Sequence, residues 1–291
     1  MLKRGLYTAL ITPFTKSGDV DEKAFRAIVE EQVNAGVTGL VPCGSTGESP
    51  TLSHEEHNRV VEITIDQVAG RCHVMAGSGS NSTREAIEMT EYARKAGADS
   101  SLQIVPYYNK PTQQGMYEHF KAIAQAVDIP IIVYNIKGRT GVNMETSTLV
   151  ELAKIPNIVG VKEASGSIEQ MMDVIKSTPD DFIVLSGDDG LTLPFMAVGG
   201  DGVISVSSNI LPKRMTEYVN MGLNNDFVAM REEHYNLCRM FKELFVETNP
   251  IPVKAAMAIK GACESEFRLP LTPPSDATVE KMKALVSHYC K

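Results

Sequence analysis

Short runs of consecutive apolar, β-favouring residues alternate along the chain with longer segments whose apolar positions recur every three or four residues. The runs are Tyr7–Ile11, Gly39–Pro42, His73–Ala76, Ser101–Val105, Ile131–Tyr134, Ile158–Val161, Phe182–Leu185 and Gly202–Val206, and each predicts a strand. They are nearly continuous rather than alternating, as in strands buried on both faces, so a parallel sheet covered by helices is expected. The intervening segments carry helix signals. Asp21 opens a segment with Phe25, Ile28, Val29 and Val33 on one face and Gly36 as its stop. Ser53 and Glu56 have the spacing of a capping box, and Ser82 to Glu85 starts another helix that stops at Gly97. Eight strand-then-helix units within about 220 residues is the arithmetic of a (β/α)8 TIM barrel. The rival, a doubly wound sheet, usually has fewer strands and often a phosphate-binding glycine loop. Gly77-Ser78-Gly79 lacks the third glycine of that fingerprint.

Past Asn224 the pattern changes to helix alone, over 225–246, 252–264 and 276–290, punctuated by Pro250, Pro252, Pro270, Pro273 and Pro274. The expected organisation is a barrel over residues 1–224 with the active site. A helical region over 225–291 docks on it as an appendage rather than an independent domain.

Composition narrows the function. Of 291 residues, 43% are hydrophobic and 22% charged, which leaves ample chain for a core and excludes disordered and disulfide-scaffold classes. A net charge of −8, no tryptophan and no basic cluster longer than Lys3-Arg4 argue against a nucleic-acid partner. No apolar run approaches the roughly 18 to 20 residues that span a membrane. The apolar stretch after Lys3-Arg4 is cut by Thr12 and Pro13 and reads as a buried first strand rather than a signal peptide. No transit-like leader rich in Arg and Ser is seen, and the five cysteines form no C-x-x-C. A cytoplasmic protein with reduced thiols is expected, with no zinc knuckle.

In a parallel barrel the reactive groups come from the C-terminal ends of the strands and the loops that follow. The second run ends in Cys43-Gly44-Ser45-Thr46-Gly47-Glu48, whose hydroxyls and amides suit an anion, although a plain βα turn has the same residues. The fourth ends in Tyr107-Tyr108-Asn109 and the fifth in Tyr134-Asn135, which suit proton relay or simple packing. The sixth is the sharpest, because Lys162 follows an apolar run directly. Desolvation at a barrel mouth favours the neutral amine that Schiff-base chemistry requires; a lysine snorkelling to solvent is the alternative. His54 and His57 stand three apart on the second helix, a spacing that two metal ligands could share, but HEEH is not the H-E-x-x-H motif, and no metal is expected.

In order and spacing, Gly44-Ser45-Thr46-Gly47-Glu48, Pro106-Tyr107-Tyr108-Asn109, Tyr134-Asn135 with Arg139-Thr140-Gly141, Gly160-Val161-Lys162-Glu163-Ala164, Leu185-Ser186-Gly187-Asp188-Asp189 and Asn249 to Lys254 resemble the dihydrodipicolinate synthase family over essentially the whole chain. The resemblance implies a Schiff-base lyase that condenses pyruvate with L-aspartate 4-semialdehyde to 4-hydroxy-tetrahydrodipicolinate, the first committed step of diaminopimelate and lysine biosynthesis, with no cofactor. It implies that Lys162 carries the Schiff base and that Tyr134, Ser45 and Tyr108 form a proton relay. Tyr108 would cross a tight-dimer interface of a homotetramer. Thr46, Gly187 and Ile204 would hold pyruvate, and Arg139 the carboxylate of the aldehyde. Ser49, His54, His57, Asn81, Glu85 and Tyr107 match the set of lysine-inhibited members and imply L-lysine as an allosteric inhibitor. Where the family usually has Thr and Pro, this chain has Ser45 and Lys137, and Pro50 replaces a small residue. The alternatives are a related N-acetylneuraminate or keto-deoxy sugar-acid aldolase, and a sensor of pyruvate or lysine without turnover.

Overall fold

A computed structural model of the chain describes residues 2–290. Its strands are β1 (Gly5–Ala9), β2 (Gly39–Val41), β3 (His73–Gly77), β4 (Ser100–Ile104), β5 (Ile131–Asn135), β6 (Ile158–Glu163), β7 (Ile183–Ser186) and β8 (Gly202–Ser205). All pair in parallel with their sequence neighbours, and β8 returns to β1, closing the barrel. Around it run α1 (Glu22–Asn34), α2 (His54–Val68), α3 (Thr83–Ala96), α4 (Gln113–Ala126), α5 (Lys137–Thr140), α6 (Thr146–Leu152), α7 (Ile168–Ser177), α8 (Thr192–Ala197) and α9 (Pro212–Leu223). The chain continues into α10 (Phe227–Glu243), α11 (Ile251–Ile259) and α12 (Asp276–Tyr289), the last two packed together.

Every predicted strand is present, and the shifted ends have physical reasons. β1 stops at Ala9 because, although the Leu10 amide still donates to the Val41 carbonyl of β2, the amide of buried Ile11 turns to donate to the Asn209 side chain. β6 runs two residues beyond the apolar run, since the ladder continues through the ionisable pair Lys162 and Glu163. Local signals at helix starts fare unevenly. The Ser53–Glu56 capping box forms in both directions, and Asp21 caps α1 through the Ala24 amide. Ser82 makes no side-chain cap; its own amide donates instead to Ser80 Oγ.

The closed sheet has two cores. Outside, helices pack on the strands through residues such as Phe25, Ile28, Phe120, Leu149 and Phe195. Inside, Tyr7, Val41, Met75, Leu102, Ile132, Tyr134, Ile183, Leu185 and Ile204 fill the barrel in layers. Register places Ile104, Tyr134, Lys162 and Leu185 side by side across β4 to β7. An ionisable residue thus occupies an inner-layer position. Among the described residues no helix is long and apolar enough to cross a membrane. All five cysteines are free.

Candidate active site

Lys162 is only 7% exposed. Its Nζ lies over the ring of its register partner Tyr134, 4.1 Å from the centroid. Burial drives the Lys162 pKa down to about 7; the nearby Arg139 cation pushes the same way and buried Asp189 opposes it. Burial also raises the Tyr134 phenol to about 12, with Arg139 pulling back. Near neutrality a sizeable share of the amine is therefore unprotonated and able to attack, beside a phenol that keeps its proton. Gly187, at the end of β7, makes the space: a Cβ there would lie 2.6 Å from Ala164 Cβ and 3.1 Å from Lys162 Cε. Ile204 faces the same interior from β8, in register with Tyr7.

Ser45 and Thr46 lie in the turn Ser45–Gly47 after β2, with Thr46 buried and Ser45 half-buried. The turn is tied down by Thr12 Oγ1, which donates to the Gly47 carbonyl at 2.7 Å, and by Asn249 Nδ2, which donates to Thr46 Oγ1 at 2.9 Å. Arg139 in α5 donates to the Asn249 carbonyl at 3.1 Å. Asn249 therefore joins two of the predicted substrate-holding residues. Tyr108 stands apart from the others: it is 89% exposed, in a loop where its φ is +71°.

A cleft of about 220 Å³ adjoins this site. Ser45, Leu102, Tyr134, Ser49, His54, His57, Glu85 and Tyr107 are among the residues that line it. Asn81 supports this lining by donating to the Tyr107 carbonyl. His54 Nε2 meets Glu85 at 3.0 Å, and Ser80 donates to the same carboxylate. His57 is buried and donates from Nε2 to the Gly77 carbonyl at 2.8 Å; burial lowers its pKa, leaving the neutral ring with an unpartnered Nδ1. The two histidines thus face different partners, and among the described residues no group of three or more His, Cys, Asp or Glu is placed to hold a metal ion.

Four residues with no role assigned by the sequence bear on the site. Asp189 is buried; one oxygen accepts from the Val206 and Ser207 amides and the Ser207 hydroxyl, while the other has no partner. Burial raises its pKa. Glu163, the residue after the lysine, accepts from Asn135 Nδ2 and from the Ser165 amide, and its pKa is also raised by burial. Glu48 and Lys254 form an ion pair with no side-chain exposure, 206 positions apart. Glu163, directly after the lysine that ends the apolar run, carried a local signal; nothing local marks a pair so distant as Glu48 and Lys254.

The sequence model of the dihydrodipicolinate synthetase family matches residues 2–289. A 4-hydroxy-tetrahydrodipicolinate synthase from Nitratidesulfovibrio vulgaris is 50% identical over 285 residues, 98% of this chain and 97% of that one. The crystal structure of the dihydrodipicolinate synthase of Aquifex aeolicus superimposes with a TM-score of 0.97 at 48% identity, covering 99% and 98% of the two chains. Two further solved synthases carry ligands. The chloride-inhibited enzyme of Acinetobacter baumannii is complexed with pyruvate (TM-score 0.96, 41% identity, 99% and 98% covered), and that of Cyanidioschyzon merolae has lysine bound (0.95, 40%, 98% and 97%). These likenesses favour the synthase over a sugar-acid aldolase or a sensor. The chain belongs to the dihydrodipicolinate synthetase family and has the lyase activity of its 4-hydroxy-tetrahydrodipicolinate synthase relatives.

Proposed function

We propose that Lys162 is the nucleophile of this synthase and that the observation carrying the assignment is its buried amine, its pKa driven down to about 7 by desolvation, over the Tyr134 ring. Lys162 Nζ adds to the keto carbon of pyruvate and water leaves, forming an imine. Loss of a methyl proton gives the enamine, whose terminal carbon attacks the aldehyde carbon of L-aspartate 4-semialdehyde. The amine of the added fragment then attacks the imine carbon, closing the ring and expelling Lys162. Tyr134 exchanges the protons, in relay with Ser45 and with Tyr108 from a neighbouring subunit. Thr46, Gly187 and Ile204 hold the pyruvyl group, and Arg139 pairs with the carboxylate of the aldehyde.

The cleft beside Ser45 and Tyr134 is the seat of feedback inhibition by L-lysine: Glu85 takes an ammonium group, and Asn81 and Tyr107 lie by the α-carboxylate. The lysine-bound relative supports this reading. The assembly is a tetramer of tight dimers in the cytoplasm, supported by the exposure of Tyr108, an aromatic residue in a left-handed conformation with no cover in the single chain. Residues 1–224 supply the barrel and 225–291 brace its mouth.

The test is a coupled assay with pyruvate, aspartate semialdehyde and a downstream reductase consuming NADPH. Turnover is expected, and Lys162→Ala should abolish both it and borohydride trapping of pyruvate. An adduct that survives the substitution overturns the assignment of the nucleophile.

A further inference from the structure

The turn that carries Ser45 and Thr46 is gripped from the far end of the chain. Two short 3-10 turns, Ser45–Gly47 and Ser49–Thr51, meet at Glu48, which adopts φ +53°, the left-handed region that a non-glycine residue enters only when its surroundings impose it. Its carboxylate points inward to Lys254 of α11. Lys254 Nζ also donates to the Glu266 carbonyl at 2.9 Å and sits 4.1 Å above the centre of the Phe14 ring, so its fork of partners is directional. The same C-terminal stretch reaches the turn twice more. Asn249 holds Thr46 and Arg139, and Arg268 donates to the Thr51 carbonyl and to Glu56, the capping residue of α2.

A fully buried ion pair costs desolvation on both partners, so an apolar pair of the same size would hold the fold together as well or better. What apolar contacts lack is direction. We infer that the Glu48–Lys254 pair is a positioning device, which fixes the turn so that Ser45 and Thr46 meet the pyruvyl group. The inference rests on the roles proposed above for those two residues. Neither Glu48 nor Lys254 lines the cleft, and neither stands on a barrel strand as Lys162 does, so both act through the turn rather than on substrate.

The experiment compares the wild-type enzyme with Lys254→Met alone and with Lys254→Met plus Glu48→Gln. Thermal unfolding, steady-state kinetics and the pyruvate concentration that half-saturates borohydride inactivation are measured on each. The single variant strands a buried carboxylate and should melt earlier. The double variant should recover most of the melting temperature, yet its half-saturating pyruvate should stay about tenfold above wild type, because the turn has lost its tether. A double variant with wild-type pyruvate dependence overturns the inference, leaving the pair structural. Should neither variant fold, Glu48→Gln alone keeps the side chain's size and an acceptor for Lys254 but removes the charge that fixes the turn; raised half-saturating pyruvate supports the inference and an unchanged value overturns it. Absence of a Lys162 adduct in the wild-type enzyme overturns the site assignment and the brace with it.

Discussion

At the scale of single residues, the chemistry depends on how an ammonium group is treated by its neighbours. Burial dominates for Lys162, and two charges of opposite sign trim the result: Arg139 disfavours the protonated form and Asp189 favours it. In the proposed mechanism the active form is the free amine, so kcat/KM for pyruvate should rise with pH through about 7, where Lys162 loses its proton, and level off above. Arg139→Gln should move this rising limb to higher pH and Asp189→Asn to lower pH, because each removes one of the opposing charges. A pH–rate profile with a limb indifferent to both substitutions would show that these charges do not reach the nucleophile. The lysine itself was legible in the sequence, since a single cation ends an apolar run. Arg139 entered only through the family resemblance and Asp189 was given no role, because Asp189 comes from the next strand's loop and Arg139 from the one before, and only barrel closure sets all three charges near one another.

At the scale of the element, helix starts were legible where the partners lie within one turn of chain. The Ser53–Glu56 box at the head of α2 formed as its spacing indicated, whereas Ser82 at the head of α3 makes no side-chain cap. α2 also presents His54 and His57 to the cleft in its first turn. Ser53→Ala should therefore cost about 1 kcal/mol of stability, read from urea unfolding. It should also raise the lysine concentration needed for half inhibition, with little change in uninhibited turnover. A variant that loses the stability but keeps wild-type lysine sensitivity would detach the head of α2 from the regulatory reading. Strand ends were less legible than helix caps. An apolar run marks burial on both faces, but the hydrogen-bond ladder of β6 extends through Lys162 and Glu163, two ionisable residues buried at polar cost.

At the scale of the whole molecule, the proposed dimer makes a prediction that a monomer cannot share. If Tyr108 serves the neighbouring subunit's Lys162, two inactive proteins can complement each other. Subunits carrying Lys162→Ala mixed with subunits carrying Tyr108→Phe and allowed to exchange should regain activity, approaching about a quarter of wild-type sites, since each hybrid dimer holds one intact site. Mixtures that stay as inactive as their components would place Tyr108 outside the partner's site. The sequence by itself determined the strand-then-helix repeat, and therefore the barrel, because burial on both faces imposes a continuous apolar pattern that any reader of the chain can see. It also determined which reactive side chains stand at strand ends. Tertiary structure alone decided that Asn249 and Lys254, near the C-terminal end of the chain, hold the turn after the second strand. Such pairings obey no sequence period; they arise only when closure of the barrel and docking of the C-terminal helices bring distant backbone to one mouth, where a buried charge must find its partner or not be buried at all.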